Sequence, residues 1–158
     1  MNLKEHNQAI VAKINAELPS NAMFDGFWIH KYKNQNLCIS CSQNRFYYRQ
    51  FDIIFKKVRF FNLPAEWQSG HMRKIEPIRM ATLEEFKQQQ PDFNVANNAI
   101  FAIDLSFNYE QLKGHYTYFV VAEKLIFFKC ADNDSSVGLH YTDKFSNEGL
   151  TCLKNRAT

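Results

Sequence analysis

The residues whose types could do chemistry are four cysteines, five histidines and a set of scattered carboxylates. Cys38-Ile39-Ser40-Cys41 has C-x-x-C spacing, which suits half of a zinc site or a dithiol redox pair. Zinc needs four ligands converging tetrahedrally, hence a second pair at similar spacing. Cys130 and Cys152 stand far apart, and neither has a Cys or His neighbour at ligand distance. A redox pair opens a helix in a βαβ unit, where the helix end lowers the thiolate pKa. Here the pair lies inside a strand pattern, whose positions three apart point to opposite faces. The cysteines read as small buried residues of a reduced chain.

His6, His30, His71, His115 and His140 are dispersed. Two of them meeting in space, with Arg49, Lys56, Lys57 or Arg59 as the cation, would make an acid/base pair for phosphodiester cleavage. Nothing in the spacing selects that arrangement over scattered surface imidazoles. G-x-S-x-G, the phosphate-cradling G-x-x-x-x-G-K-[ST] and G-x-G-x-x-G are all missing from the sequence. No catalytic, metal-ligating or cofactor-binding residue is assigned, and the chain is expected not to be an enzyme.

Two basic-aromatic runs, Arg45-Phe46-Tyr47-Tyr48-Arg49 and Lys56-Lys57-Val58-Arg59-Phe60-Phe61, raise nucleic-acid binding, because single strands are held by ring stacking plus phosphate contacts. Against it, most of those rings are needed in a core, and a net charge of +3 is far from a strongly basic footprint. The carboxylates suggest a different use. Asp132, Asp134 and Asp143, with Glu110 and Glu123 in neighbouring turns, would form an acidic rim. Asp132-Asn133-Asp134-Ser135 lacks the glycine and the terminal glutamate of a calcium loop. Glu84, Glu85, Asp132, Asp134 and Asp143 are therefore the candidate partner-binding residues, offering carboxylates where a basic protein expects phosphates. Charge distribution agrees: residues 1–80 carry twelve Lys and Arg against six Asp and Glu, whereas residues 81–158 carry seven against ten.

The elements that must position these groups are legible in part. Leu3, Ile10, Val11, Ile14 and Leu18 recur on one helical face, and Pro19 ends that helix. From residue 24 to 61, β-branched and aromatic clusters alternate with polar breaks, as in a series of strands. Lys33-Asn34-Gln35-Asn36 and Ser42-Gln43-Asn44 read as turns. The run Ile53-Ile54-Phe55-Lys56-Lys57-Val58 breaks alternation, through either a bulge or burial on both faces. Leu63-Pro64-Ala65-Glu66-Trp67 reads as a turn or short helix, and residues 68–74 as a mobile loop. Thr82 with Glu85 forms a capping box for an internal helix that Pro91 ends.

Phe101, Ile103, Leu105 and Phe107 alternate with Ala102, Asp104 and Ser106, predicting a strand with one buried face. Residues 116–121 and 125–130 read as a hairpin, residues 132–136 as an exposed loop, and residues 137–141 as a last short strand. Short turns demand antiparallel pairing. The expected fold is one α+β domain over residues 1–158, with a mostly antiparallel twisted sheet of six to eight strands and both helices on one face. No run approaches the ~18 apolar residues that span a bilayer, and the N-terminus lacks a secretion signal, so the expected setting is cytoplasmic. Fifteen phenylalanines promise a large aromatic core.

The N-terminal helix, the strand ending Asp52-Ile53-Ile54-Phe55-Lys56-Lys57-Val58-Arg59-Phe60-Phe61-Asn62-Leu63-Pro64-Ala65-Glu66-Trp67 and the hairpin Tyr116–Cys130 give an order of elements that resembles neisserial-type immunity proteins. These belong to bacterial contact-dependent inhibition and other polymorphic-toxin systems. The resemblance extends over the whole chain but carries no diagnostic functional residue onto a numbered position. It implies a cytoplasmic, non-enzymatic protein that binds and blocks the C-terminal domain of a cognate toxin, often a nuclease. No cofactor and no membrane partner are expected, and nucleic acid is the alternative partner.

Overall fold

Asn2 starts the first helix, α1 (Leu3–Glu17), by a reciprocal cap. Its side chain accepts from the Glu5 amide at 2.9 Å, and the Glu5 carboxylate accepts from the Asn2 amide at 3.0 Å. Val11, Ile14 and the C-cap Leu18 are buried, as the periodicity predicts, but Asn7 is buried with them and Leu3 is exposed. The computed structural model describes residues 1–18, 26–42, 51–68, 71 and 76–129. The predicted helix stop at Pro19, the turn at Gln43-Asn44, the loop 68–74 apart from Gln68 and His71, the loop 132–136 and the strand 137–141 lie outside the described residues.

Strands β1 (Gly26–Lys33) and β2 (Asn36–Ser42) form the predicted hairpin. Asn34 and Gln35 sit at φ 50° and 60°, the left-handed pair that a tight hairpin turn requires. The chain continues through β3 (Phe51–Lys56), β4 (Phe60–Phe61), β5 (Glu66–Trp67) and β6 (Arg79–Met80). It then passes through α2 (Leu83–Gln89), β7 (Ala99–Asn108), β8 (Lys113–Ala122) and β9 (Lys124–Lys129). Two antiparallel sheets result, ordered β5-β1-β2-β3-β9 and β4-β8-β7-β6. The architecture is α+β, as expected.

The two sheets are continuous at one bend. In the first, Lys56 faces Lys124; in the second, Phe60 faces Val121. Between these pairs, Glu123 donates its amide to the Lys56 carbonyl at 3.1 Å, and Arg59 donates to the Val121 carbonyl at 2.8 Å. Thus β3–β4 and β8–β9 are two long strands that kink together and pass from one sheet to the other. Counted so, the described residues hold seven strands, within the expected range. Both explanations of the irregular run 53–58 hold, because residues 51–55 are all buried and Lys57 then turns to φ 52°.

Three expectations need correction. Segments 116–121 and 125–129 do not form a hairpin; β8 pairs with β7 and β4, and β9 pairs with β3. A tight reversal needs left-handed residues such as Asn-Gly, which Ala122-Glu123-Lys124 does not supply. The 63–67 segment holds no helix: it bends at Ala65, and its end forms β5 on β1, where Trp67 stacks on Phe27 at 5.4 Å.

The helices do not share a face. On α1, Val11 and Ile14 join Phe101, Ile103 and Leu105 in the main core. Phe86 of α2 packs with Ile100, Ala102, Phe119 and Val121. Because alternate strand residues point to opposite sides, the helices lie on opposite faces of β7, which is buried on both. No helix among the described residues is long and apolar enough to cross a membrane.

Helix α1 also closes the outer edge of β9. Asn7 accepts from the Leu125 amide at 2.9 Å and donates to the Glu123 carbonyl at 3.0 Å. His6 Nε2 donates to the Leu125 carbonyl at 3.0 Å. Side chains here stand in for a missing strand, which blunts an otherwise pairing-competent edge.

Candidate functional site

Strand alternation separates the C-x-x-C cysteines. Cys41 lies in the main core, while Cys38 packs with Ile54 on the other face of the sheet. Burial and the Asp52 carboxylate both push the Cys41 thiol pKa upward, the reverse of what a reactive thiolate needs. Cys130 and Cys152 lie outside the described residues.

His6 and His71 are held by hydrogen bonds. His6 holds β9, as above. His71 accepts the Gln68 amide at Nδ1 (3.1 Å), so the neutral ring donates from Nε2 to the Tyr109 hydroxyl at 2.6 Å. Burial lowers the His71 pKa. His30 and His115 stand on β1 and β8, and His140 lies outside the described residues. No group of three or more His, Cys, Asp or Glu is placed to hold a metal ion among the described residues.

The predicted partner-binding carboxylates have separate fates. Asp132, Asp134 and Asp143 lie outside the described residues. Glu84 is exposed on the first turn of α2. Glu85 is already occupied. Its amide satisfies the Thr82 cap at 3.1 Å, but its carboxylate turns to Arg79 instead of completing the capping box. The same guanidinium donates to the buried Asp104 from Nε at 2.7 Å, and Thr117 Oγ1 donates to Asp104 at 2.7 Å. Arg79 thereby ties α2 to β7, and its hydrogen bonds hold the Glu85 carboxyl below its ordinary pKa.

The basic-aromatic run 56–61 divides its labour. Phe60 packs edge-on against Phe86 at 5.3 Å, and Phe61 packs against Tyr32 at 5.1 Å, so these rings are engaged in packing. Its cations stay at the bend between the sheets. There a groove opens, built from two adjoining cavities of about 670 and 350 Å³. They share Leu3, Ala96, Asn97, Asn98 and Glu123. Tyr32, Lys57 and Arg59 line the first; Lys4, Met80 and Leu83 line the second.

Its walls are fixed by local geometry. Ala96 takes φ 52° and donates to Asn94 Oδ1 at 2.9 Å, while Asn98 Nδ2 donates to the Val95 carbonyl at 2.8 Å. Of the six large apolar side chains exposed among the described residues, three line this groove: Leu3, Tyr32 and Leu83. Lys57 and Glu123 pair at 2.7 Å, whereas Lys4 and Arg59 have no carboxylate partner among the described residues.

Sequence reasoning placed Leu3 on the buried helix face and gave Tyr32 and Leu83 no role. The broken alternation of the run 53–58 and the cations Lys57 and Arg59 are the local traces of the groove. Its other walls come from segments distant in sequence. Compared with protein-family models, curated proteins and solved structures, the chain matches none.

Proposed function

We propose that this protein works by occupying another protein, as a cytoplasmic immunity protein that binds and neutralises a cognate toxin domain and turns over no substrate. One observation carries the reading: a groove with fixed walls at the junction of the sheets, edged by exposed Leu3, Tyr32 and Leu83. Exposed apolar side chains gathered on one concave surface mark interaction sites, whereas scattered ones need no explanation. The N-terminal helix and the strand entering residues 52–67 keep their part in the resemblance, whereas the 116–130 hairpin does not form. The reading predicts a toxin domain encoded beside this chain, and the test is co-expression with it. Growth should be rescued and the two proteins should co-purify; continued killing at matched expression would sink the proposal.

A second reading, nucleic-acid binding, is favoured by the cation cluster at the bend, where Lys56, Lys57, Arg59 and Lys124 adjoin. An electrophoretic shift that weakens steeply with salt would support it.

A further inference from the structure

We infer that the groove between α1, the 95–98 turn and the sheet bend receives an acidic protein segment carrying spaced apolar side chains. This rests on reading the protein as a binder of a toxin domain, and it names the kind of segment that domain would present. The charge direction is opposite to that expected for Glu84, Glu85 and the 132–143 carboxylates: here this protein supplies the cations.

Charge selects the partner. Lys57 and Glu123 neutralise one another at 2.7 and 2.9 Å. Lys4 and Arg59 are then the groove's uncompensated charges, both positive. A basic segment would be repelled from both of these positions.

Shape and apolar lining select protein over nucleic acid. Single strands are held on successive exposed rings. Tyr32 is the groove's one aromatic wall, and its ring already leans on Phe61 at 5.1 Å. Leu3 and Leu83 are aliphatic, exposed by 39% and 54%, and suit aliphatic or aromatic anchors from an amphipathic segment. An occupant bridging both cavities would cover Leu3, which they share, and place carboxylates beside Lys4 and Arg59.

The test uses the full chain and three fluorescent probes. The first is an acidic peptide of about four helical turns with Leu and Phe on one face. The second is the same peptide with Lys replacing each carboxylate, and the third is a single-stranded RNA oligonucleotide. The acidic peptide should bind best, lose affinity as salt rises, and shift the NMR signals of Leu3, Tyr32 and Leu83. The double variant Lys4→Glu/Arg59→Glu should bind it at least about tenfold more weakly, with an unchanged circular dichroism spectrum and melting temperature. Equal binding of the Lys peptide, tighter binding of the RNA, or indifference to the double variant would overturn the inference.

Measurements with the toxin domain separate the two proposals. If the wild type binds it and the double variant binds it equally well, the groove inference fails and the immunity reading stands. If the acidic peptide occupies the groove but the toxin domain does not bind, the immunity reading is the one that fails.

Discussion

Arg79 holds two carboxylates whose exposure differs, so removing each should have a different consequence. Asp104 is 4% exposed at its side chain and Glu85 is 32% exposed. Breaking a buried pair from one side leaves an uncompensated charge and costs about 3 kcal/mol or more. Asp104→Ala should therefore lower stability by about 3 kcal/mol, toward the low end because Arg79 keeps Glu85. Glu85→Gln should cost much less, since solvent screens a partly exposed pair. The pH dependence has a definite sign. Folding depresses the Glu85 pKa below about 4.5, chiefly through the Arg79 hydrogen bond. Its contribution is thus complete above that pH and is lost as pH falls through the lower, folded value. Urea midpoints between pH 3 and 6 should fall less steeply for Glu85→Gln than for the wild type. Equal slopes, or an Asp104→Ala loss no larger than that of Glu85→Gln, would show that the clamp does not stabilise the fold.

At the scale of elements, the instructive residue is Asn7. Helix periodicity marks it as a polar position, yet it is 1% exposed and makes one hydrogen bond to Leu125 of β9 and one to Glu123 at the bend just before it. Asn7→Ala would strand the buried Leu125 amide away from water, at about 1–3 kcal/mol, and would cost less at the part-buried Glu123 carbonyl. Hydrogen exchange at Leu125 should accelerate well beyond the global change; protection that falls only as much as in distant strands would exclude the edge-closing role.

The same residue shows what sequence conveys and what it withholds. The α1 face, the Lys33–Asn36 turn and the existence of β7 were legible because periodicity and turn chemistry are local, but β7 is buried on both faces and not on one as its alternation predicts, because α2 covers the second. The β8–β9 relation was not. Two apolar runs with a three-residue gap fit a hairpin or a kinked continuous strand equally well, and the partners deciding between them lie at residues 51–61 and 99–108. At the candidate site, the cations of the 56–61 run were visible from sequence. That its rings pack against Phe86, Phe93 and Tyr32, leaving the groove to Leu3 and Leu83, depends on contacts no local pattern encodes.

For the molecule as a whole, the bend makes two sheets one cooperative object. The main core draws from both: Phe55 of β3 meets Phe101 of β7 edge-on at 5.2 Å, and α1 contacts each side. Neither sheet can unfold alone without exposing that shared interior and splitting the two long strands at Lys57 and Glu123. Both tryptophans, Trp28 and Trp67, lie in the first sheet, so indole fluorescence reports on it specifically. Phe101→Leu alters the second sheet at a fully buried position and should destabilise by about 1 kcal/mol. If the sheets are coupled, the tryptophan-monitored urea midpoint should move by the same amount as the midpoint from far-ultraviolet circular dichroism. A shift confined to the dichroism curve would mean that the sheets melt separately, and the groove walls they jointly provide would then lose the rigidity required for docking.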